Sequence, residues 1–251
     1  MDSTQADERR QKASLGLAQA VQQALLPREC PRCSGTHVAA KYRPVGHIGG
    51  DFYDFIHLDA DQIGLLIGDV VGHGIHSALV MALLLGNLRA NRRERLHPAK
   101  IISEVNNLLV ELGDSTGEIL LCSLFYGILD MPSRVLFYID AGHPPPLCCR
   151  AKGITSLVSN AMLLGAQDFE GEEQCHQFEA EDRLVLYTDG VVETRDKQGE
   201  LYSVKRLRRA LQSQWGCSAE QTVQYIFSEL EAFSSKDGPE DDATVVVVDF
   251  A

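Results

Sequence analysis

Four aspartates stand far apart along the chain, each next to a run of residues typical of a β-strand end or a turn. They are Asp51, Asp69, Asp189 and Asp241. Gly50, Gly68 and Gly190 adjoin three of them, and glycine lets backbone, water or ligand approach closely. Carboxylates gathered in one place repel each other unless a cation lies among them, and hard oxygen ligands select Mg²⁺ or Mn²⁺. The sequence therefore predicts a fold that brings these four segments together, and a metal-dependent hydrolase.

The composition is that of an ordinary globular protein. The chain has 251 residues, 45% hydrophobic and 23% charged, enough to bury the core of one large domain with a short extension. The net charge of −12 argues against nucleic acid as a partner. One basic run, interpreted as a solvated helix end and loop or alternatively as a dock for an acidic partner, comprises Arg89, Arg92, Arg93, Arg95 and Lys100.

The cysteines and the apolar segments indicate a cytoplasmic protein with reduced thiols and no membrane span. Seven cysteines follow a polar start, and no apolar run reaches the roughly 18 residues that a membrane helix needs. Cys30 and Cys33 have the spacing of half a zinc site, to which His37 would add a third ligand. Because no second matching pair follows, two ordinary thiols are the favoured interpretation and structural zinc is the alternative.

The periodicity predicts an α+β fold. Helices are predicted at residues 8–26 and 77–88, after Pro98, and after a capping box formed by Ser218 and Gln221. Strands are predicted at residues 38–42, 52–58, 62–67, 119–129, 135–139, 147–149, 183–187 and 244–250. Strands joined by short turns, with helices in separate blocks, indicate mixed or antiparallel sheets with helices outside. Residues 1–27 are predicted to be a helical lead-in or linker, and residues 28–251 the folded domain.

Five motifs occur in order and together resemble a known family. They are Gly49-Gly50-Asp51-Phe52-Tyr53-Asp54, Gly68-Asp69-Val70-Val71-Gly72-His73-Gly74, Ala141-Gly142-His143, Tyr187-Thr188-Asp189-Gly190-Val191-Val192-Glu193 and Asp241-Asp242-Ala243-Thr244. The chain resembles the SpoIIE/RsbU-like bacterial branch of the metal-dependent (protein phosphatase 2C type) serine/threonine phosphatases. The resemblance implies an αββα sandwich of two central antiparallel sheets flanked by helices.

The resemblance also implies a dinuclear site with two divalent cations, Mn²⁺ or Mg²⁺. Its ligands would be Asp51, Asp69, the backbone carbonyl of Val70, Asp189 and Asp241, with Asp69 as the bridge between the ions. Asp242 is the alternative to Asp241, because alternation in an extended stretch would turn it to the opposite face. Asp54 and Glu193 are expected to contact the ligating residues rather than the ions, in a mainly structural role.

The implied reaction is direct attack of a metal-bound water on phosphorus, with Asp51, Asp69 and His73 as candidate catalytic residues. Eukaryotic relatives place a histidine two positions after the bridging aspartate, where this chain has Val71. His73 is therefore one candidate proton donor, and a structural or solvent-facing role is its alternative. His143 is expected to fix a turn by hydrogen bonding. Arg43 is a weaker candidate for contacting substrate phosphate.

The family resemblance suggests a substrate and partners. The substrate would be phosphoserine or phosphothreonine on a STAS-type anti-sigma-factor antagonist. Regulation would come from a sensor or receiver protein upstream, or from a homodimer formed through the N-terminal helix. A catalytically weak phosphoprotein-binding module is the alternative function. A metal-dependent nuclease fits the ions but not the acidic charge.

Overall fold

The structure is a computed structural model that describes residues 3–33, 35–90, 97–159, 161–234 and 240–251; for residues 3–11, 32 and 33 only the backbone is described. These residues form eleven strands: β1 (Arg32–Cys33), β2 (Thr36–Arg43), β3 (Asp51–His57), β4 (Gln62–Val70), β5 (Cys122–Asp130), β6 (Val135–Ala141), β7 (Leu147–Arg150), β8 (Gly153–Ser156), β9 (Gln174–Gln177), β10 (Arg183–Tyr187) and β11 (Ala243–Phe250). They also form six helices: α1 (Ser3–Leu25), α2 (Ile75–Ala90), α3 (Pro98–Thr116), α4 (Asp189–Glu193), α5 (Ser203–Ser213) and α6 (Ala219–Phe233). In the described part of the chain, no helix is both long and apolar enough to cross a membrane.

Two antiparallel sheets lie face to face. Sheet A has the strand order β1-β2-β11-β10-β7-β8, and sheet B has the order β3-β4-β5-β6-β9. Strand β11 is apolar along its length because both of its faces are buried: Val246 and Val248 join the core between the sheets, whereas Val245 and Val247 face α5 and α6. Helices α2 and α3 cover sheet B, and α6 covers sheet A. The predicted αββα sandwich is confirmed.

The element boundaries differ from the sequence prediction in instructive places. Helix α1 begins at Ser3 rather than residue 8, because its polar first turns have no apolar repeat to reveal them. Strand β4 runs to Val70, so that Asp69 lies inside the strand and not after it. The predicted strand at residues 119–129 begins only at Cys122, and Ile119 is exposed. The short strands β1, β8 and β9 and the helices α4 and α5 were not predicted.

The sequence of α2 is apolar almost all round, which is typical of a buried helix, but only one of its faces is buried. One face, which carries Val80, Met81, Leu84 and Leu85, packs into the core. The other face leaves apolar side chains in solvent, with Leu79 67% exposed and its neighbours Ile75 and Leu83 also exposed. An apolar helix that covers a single sheet buries one face only, and composition alone does not distinguish it from a fully buried helix.

Candidate metal centre

The two sheets deliver the four predicted aspartates to one end of the sandwich. In sheet B, Asp51 at the start of β3 is the register partner of Asp69 near the end of β4. In sheet A, β10 and β11 are neighbours; Asp189 follows the first, and Asp241 precedes the second. Each sheet therefore contributes two acids from adjacent strand ends.

Asp51 connects the two sheets. Its Oδ2 accepts hydrogen bonds from Thr188 Oγ1 at 2.7 Å and from Thr244 Oγ1 at 2.6 Å, and the Thr244 backbone N–H donates to Thr188 Oγ1 at 2.9 Å. Burial raises the pKa of Asp51 well above its usual range, and the nearby Asp69 raises it further, against the opposing effect of the two threonines. One carboxylate oxygen is thus fixed by sheet A in a site that disfavours an unpaired negative charge.

Asp69 lies within electrostatic reach of the other acids. Burial raises its pKa to about 7, with further contributions from Asp189, Asp241 and Asp242, while a hydrogen bond with Asp51 lowers it. The prediction that these residues share one neighbourhood therefore agrees with the fold. Their ligand roles stay predictions.

Asp189 has an oxygen without a hydrogen-bond partner. Its Oδ1 is buried and accepts no hydrogen bond within the described residues. Burial raises the pKa of Asp189, as do the nearby Asp241 and the exposed Glu193. A buried, unpartnered carboxylate oxygen is costly unless a cation or water satisfies it.

Asp241 and Asp242 have different surroundings. Asp242 is buried, and its two oxygens accept from the backbone N–H groups of Val45 and Gly50, both at 2.8 Å. A Cβ at Gly49 would overlap the Asp242 carboxylate, so this loop has no room for a side chain there. Asp241 is exposed, and its Oδ1 accepts a hydrogen bond from the Asp242 N–H at 2.8 Å. Asp242 therefore anchors this loop, and the assignment of Asp241 rather than Asp242 as the ligand stays a prediction.

Gly50 leaves space beside two further oxygens. A Cβ at Gly50 would lie 2.6 Å from the Val70 carbonyl oxygen and 3.0 Å from Asp69 Oδ1. The carbonyl and the carboxylate therefore lie side by side against a residue that has no side chain. This arrangement fits the prediction that the Val70 carbonyl joins Asp69 in holding an ion.

The oxygen-only donor set fits Mg²⁺ or Mn²⁺ rather than a thiolate-bound metal. Among the described residues no Lys, Arg or His forms an ion pair with Asp51, Asp69, Asp189, Asp241 or Asp242. Within that same part of the chain, no point is surrounded by three or more His, Cys, Asp or Glu side chains at the spacing of a finished metal site. Mg²⁺ keeps several waters and takes only one or two carboxylates, so the residues present fit such an ion.

A cleft of about 560 Å³ opens beside these acids. It is lined by Leu15 of α1, by the loops around His47 and His73, and by Asp241. His73 is exposed, and its role as a proton donor stays a prediction. His47 was not singled out from the sequence, because it precedes the glycine pair rather than lying within the acidic motif.

His143 does more than fix a turn. Its backbone N–H donates to Asp140 Oδ1 at 2.8 Å, as a turn-fixing residue would. Its ring Nδ1 also shares a 2.8 Å hydrogen bond with Ser123 Oγ, and Ser123 is the register partner of Asp69. Burial lowers the pKa of His143 to about 3, with the nearby Tyr187 backbone acting in the opposite direction. A neutral ring therefore lies between β5, which neighbours the strand that carries Asp69, and β10, which ends two residues before Asp189.

Two groups at the site were missed by sequence reasoning. Gln22 of α1 donates from Nε2 to the Gly49 carbonyl at 2.6 Å and accepts from the Gly49 N–H at 3.0 Å. The Tyr42 hydroxyl is buried without a partner in the described residues, and its pKa is raised by burial and then by Asp242, Asp51 and Asp69. Alternation along β2 could have indicated Tyr42. The Gln22 contact had no local signal.

Other candidates lie elsewhere. Arg43 packs over the Phe227 ring and lies 3.9 Å from Glu231 on α6, so it is turned away from the acids. Asp54 pairs with Arg89 Nε at 2.6 Å, and the same guanidinium donates to the Leu25 carbonyl. Arg89 is thus engaged with its own protein. Arg92, Arg93 and Arg95 of the predicted basic run lie outside the described residues.

Of the two cysteines in the possible zinc site, only Cys30 has a described side chain. Cys30 is partly buried against the core, and burial raises its pKa. The Cys33 side chain lies outside the described part of the structure.

Comparison with known proteins identifies the family. The family model of Stage II sporulation protein E (SpoIIE) matches residues 59–251, well over half of the chain. The chain belongs to the SpoIIE family. Two curated relatives of this SpoIIE-family chain come from Bacillus subtilis (strain 168). Phosphoserine phosphatase RsbU is 28% identical over 222 residues, and phosphoserine phosphatase RsbP is 30% identical over 155 residues.

The coverage of these relatives is partial. The match covers 87% of this chain and 65% of RsbU, and 61% of this chain and 38% of RsbP. The SpoIIE-family chain therefore spans less than two thirds of either relative.

Solved structures share the fold at low identity. The SiaA-PP2C domain of Pseudomonas aeruginosa has a TM-score of 0.84 at 19% identity, with both chains fully covered. The RsbU and RsbW domains of Rv1364c from Mycobacterium tuberculosis have a TM-score of 0.72 at 24% identity, over 88% of this chain and 61% of theirs. RsbX, solved in complex with magnesium, has a TM-score of 0.65 at 13% identity, over 89% of this chain and 99% of its own.

Proposed function

We propose that this chain is a metal-dependent serine/threonine protein phosphatase that hydrolyses phosphoserine or phosphothreonine on a regulatory protein. The observation that carries the proposal is the group of acids from both sheets that has no basic partner within the described residues. Relatives named as phosphoserine phosphatases support the type of reaction. A nuclease would use the same ions, but a net charge of −12 disfavours a polyanionic substrate.

The chain's own residues would divide the work of the site. Two divalent cations, Mn²⁺ or Mg²⁺, would supply an activated water and neutralise charge on the phosphate. Asp51, held by two threonines, and Asp69 with the Val70 carbonyl form the half contributed by sheet B. Asp189 and Asp241 form the half contributed by sheet A. Asp69 would hold both ions, as the resemblance to the family implies, and it lies near acids of both sheets.

The cleft beside the acids would receive the phosphorylated segment. His73 lines it together with Asp241, and would donate a proton to the leaving serine or threonine oxygen. Val71 stands where eukaryotic relatives have that donor, which makes His73 the residue whose role most needs a test. His73→Ala should lower turnover by roughly 10²-fold and leave metal binding unchanged.

The finer part of the proposal concerns substrate and partners. The substrate would be a phosphorylated STAS-type anti-sigma-factor antagonist; similarity to RsbU, and to a structure that contains RsbU and RsbW domains, supports this assignment. A sensor or receiver protein upstream, or a second copy of this chain, would act through α1. Leu17 and Val21 on α1 are exposed apolar residues that such a contact would cover.

The decisive experiment measures Mn²⁺-dependent phosphate release from a phosphoserine-containing STAS protein. Asp69→Asn should reduce release by at least about 10³-fold, because it removes the bridging carboxylate. Asp61→Asn makes the same chemical change in an exposed turn and should leave release unchanged. Equal release by wild type and Asp69→Asn would reject the proposed site.

The alternative function is a catalytically weak module that binds a phosphoprotein without hydrolysing it. The observation in its favour is Val71 at the position of the expected proton donor. This alternative predicts saturable binding of the phosphorylated STAS protein with no phosphate release at any Mn²⁺ or Mg²⁺ concentration. Release that depends on Asp69 would exclude it.

A further inference from the structure

A second cavity lies between α5 and α6, on the outer side of sheet A. It has a volume of about 520 Å³, and its lining includes Tyr202, Arg206, Arg209, Tyr225, Glu229 and Phe233. None of these residues belongs to the candidate metal centre or to the cleft beside it. A cavity of this size accommodates a small organic ligand.

Helix α5 places two guanidinium groups at this cavity in a chain that is acidic overall. Arg206 and Arg209 are three positions apart and therefore lie on one face of the helix. Arg209 is exposed, and within the described residues it has no hydrogen bond or ion pair. Arg206 lies over the Phe233 ring, 4.8 Å from its centroid, and 4.0 Å from Glu200. The aromatic ring orients one guanidinium while the other stays available.

The other basic residues of α5 do not share this position. Arg208 donates to the Ile154 carbonyl at 2.6 Å and to Ser156 Oγ at 2.9 Å, which anchors the helix to β8. Lys205 is exposed and does not line the cavity. The helix thus offers an internal control, a cation of equal charge placed outside the cavity.

The Tyr202 hydroxyl is a buried donor without an acceptor. Tyr202 is 2% exposed, its ring packs edge-on against Phe233, and its hydroxyl has no hydrogen-bond partner within the described residues. Burial, and after it Glu229, raises the pKa of Tyr202 to about 12, so the hydroxyl keeps its proton at neutral pH. A buried hydroxyl without a partner is costly, and an acceptor on a ligand would offset that cost.

The α6 wall offers a different chemistry. Tyr225 and Glu229 lie one turn apart and present an aromatic ring beside a carboxylate. The ring provides a flat apolar surface on which a heterocyclic base stacks. The carboxylate accepts hydrogen bonds from hydroxyl or amino groups, but it repels a bare anion. The cavity therefore matches a ligand that is anionic at one end and carries a ring and hydrogen-bond donors at the other.

We propose that this cavity binds a nucleotide. The phosphate would lie between Arg206 and Arg209, the base against Tyr225, and the ribose hydroxyls or base amino group at Glu229. Guanidinium pairs are well suited to phosphate oxygens, and aromatic faces to bases. The site is separate from the metal centre, and the proposal does not depend on phosphatase activity.

Isothermal titration calorimetry in EDTA, without divalent metal, tests the proposal directly. The probes are AMP, ADP, ATP and GMP, with inorganic phosphate and adenosine as the two separated halves of the ligand. At least one nucleotide should bind with a micromolar Kd, and each half alone should bind at least about tenfold more weakly. No measurable binding of any of the four nucleotides at about 1 mM would overturn the proposal.

Three variants distinguish the cavity from general attraction to a basic helix. Arg209→Gln should weaken the best nucleotide at least about tenfold, whereas Lys205→Gln should change its Kd less than about twofold. Tyr202→Phe should weaken binding but leave the melting temperature of the free protein unchanged or raised, because an unsatisfied hydroxyl is removed. Equal losses in Arg209→Gln and Lys205→Gln would show that the helix charge, and not the cavity, attracts the ligand. That result would overturn the proposal too.

Discussion

The two ends of the sandwich differ in whether their acidic side chains have basic partners. At the end where β10 begins, Asp249 is paired with Arg183, and Asp182 with Arg150. At the end where β10 finishes, the acids of the candidate metal centre have no basic partner within the described residues. Strands β10 and β11 run from one end to the other, so the difference in pairing between the two ends does not come from the strands themselves. It indicates that one end is neutralised by the chain itself, whereas the other requires a cation from solution.

The paired end is complete in its hydrogen bonding as well as in its charge. The Arg183 guanidinium contacts both oxygens of Asp249, at 2.5 and 3.0 Å, and donates to Thr222 Oγ1 at 2.7 Å and to the Cys217 carbonyl at 2.6 Å. Its side chain is only 6% exposed. Such an arrangement stabilises the native state strongly only while every partner is present.

The largest expected effect comes from breaking the paired end. Arg183→Ala should lower the free energy of unfolding by about 3–5 kcal/mol, because Asp249 and Thr222 lose a buried partner. Arg150→Ala should cost only about 1 kcal/mol, because solvent already reaches the Arg150 side chain, which is 41% exposed. Urea denaturation measures both. If Arg183→Ala and Arg150→Ala lowered the free energy of unfolding by similar amounts, burial would not determine how much each ion pair contributes to stability.

At the metal end, removal of a charged side chain should stabilise the metal-free protein instead of destabilising it. In EDTA, Asp69→Asn should be more stable than wild type at pH 8, by on the order of 2 kcal/mol, because it removes a repelled buried charge. Saturating Mn²⁺ should reverse the order, because only the wild type gains stability from bound ions. Melting temperatures with and without Mn²⁺ measure both states.

The pH dependence of that difference follows from the raised pKa of Asp69. Its folded pKa of about 7 lies above the value near 3.9 expected in the unfolded chain, so between these two values the native state holds a proton that the unfolded state has lost. Stability from this group is present at low pH and is lost as pH rises through about 7. The advantage of Asp69→Asn should therefore grow from pH 5 to pH 8. His143, with its pKa lowered to about 3, gives the opposite slope but occurs in both proteins and cancels in the difference. If the stability difference between Asp69→Asn and wild type did not change with pH, the raised pKa of Asp69 would be contradicted.

Much of the fold and the site's location could be predicted from local sequence. The alternating and continuous apolar runs defined the strands, and the capping box at Ser218 and Gln221 defined the start of α6, where both reciprocal hydrogen bonds are present. The acidic motifs indicated which strand ends would meet. Each of these signals lies within a few neighbouring residues, so it can be recognised without knowledge of the tertiary structure.

The rest depended on contacts between distant segments. One face of α2 is exposed because no other described element of the fold packs against it, and the apolar pattern of the helix does not indicate this. Helix α5 has its apolar residues spaced for a helix (Leu207, Ala210 and Leu211), but the basic residues between them obscured the pattern. The two backbone donors to Asp242, from the loop at Val45 and Gly50, also had no local signal in the sequence. The role of Gln22 required a contact across 27 positions.

The smallest predicted effect concerns how the metal end is held in the absence of ion pairs. Gln22 forms reciprocal hydrogen bonds with the Gly49 backbone, two positions before Asp51, and so attaches α1 to the loop in front of the acids. Gln22→Ala should cost about 1 kcal/mol of stability and weaken Mn²⁺ binding several-fold, because the buried Gly49 peptide loses both partners. Gln23→Ala makes the same change at an exposed neighbour and should alter neither quantity. Mn²⁺ titrations of the melting temperature measure the affinity, with Arg183→Ala as the comparison from the other end. If the two ends are independent, Arg183→Ala lowers stability without changing Mn²⁺ affinity, while Gln22→Ala changes the affinity at little cost in stability. Equal Mn²⁺ affinity in Gln22→Ala and Gln23→Ala would mean that α1 does not help to hold the centre.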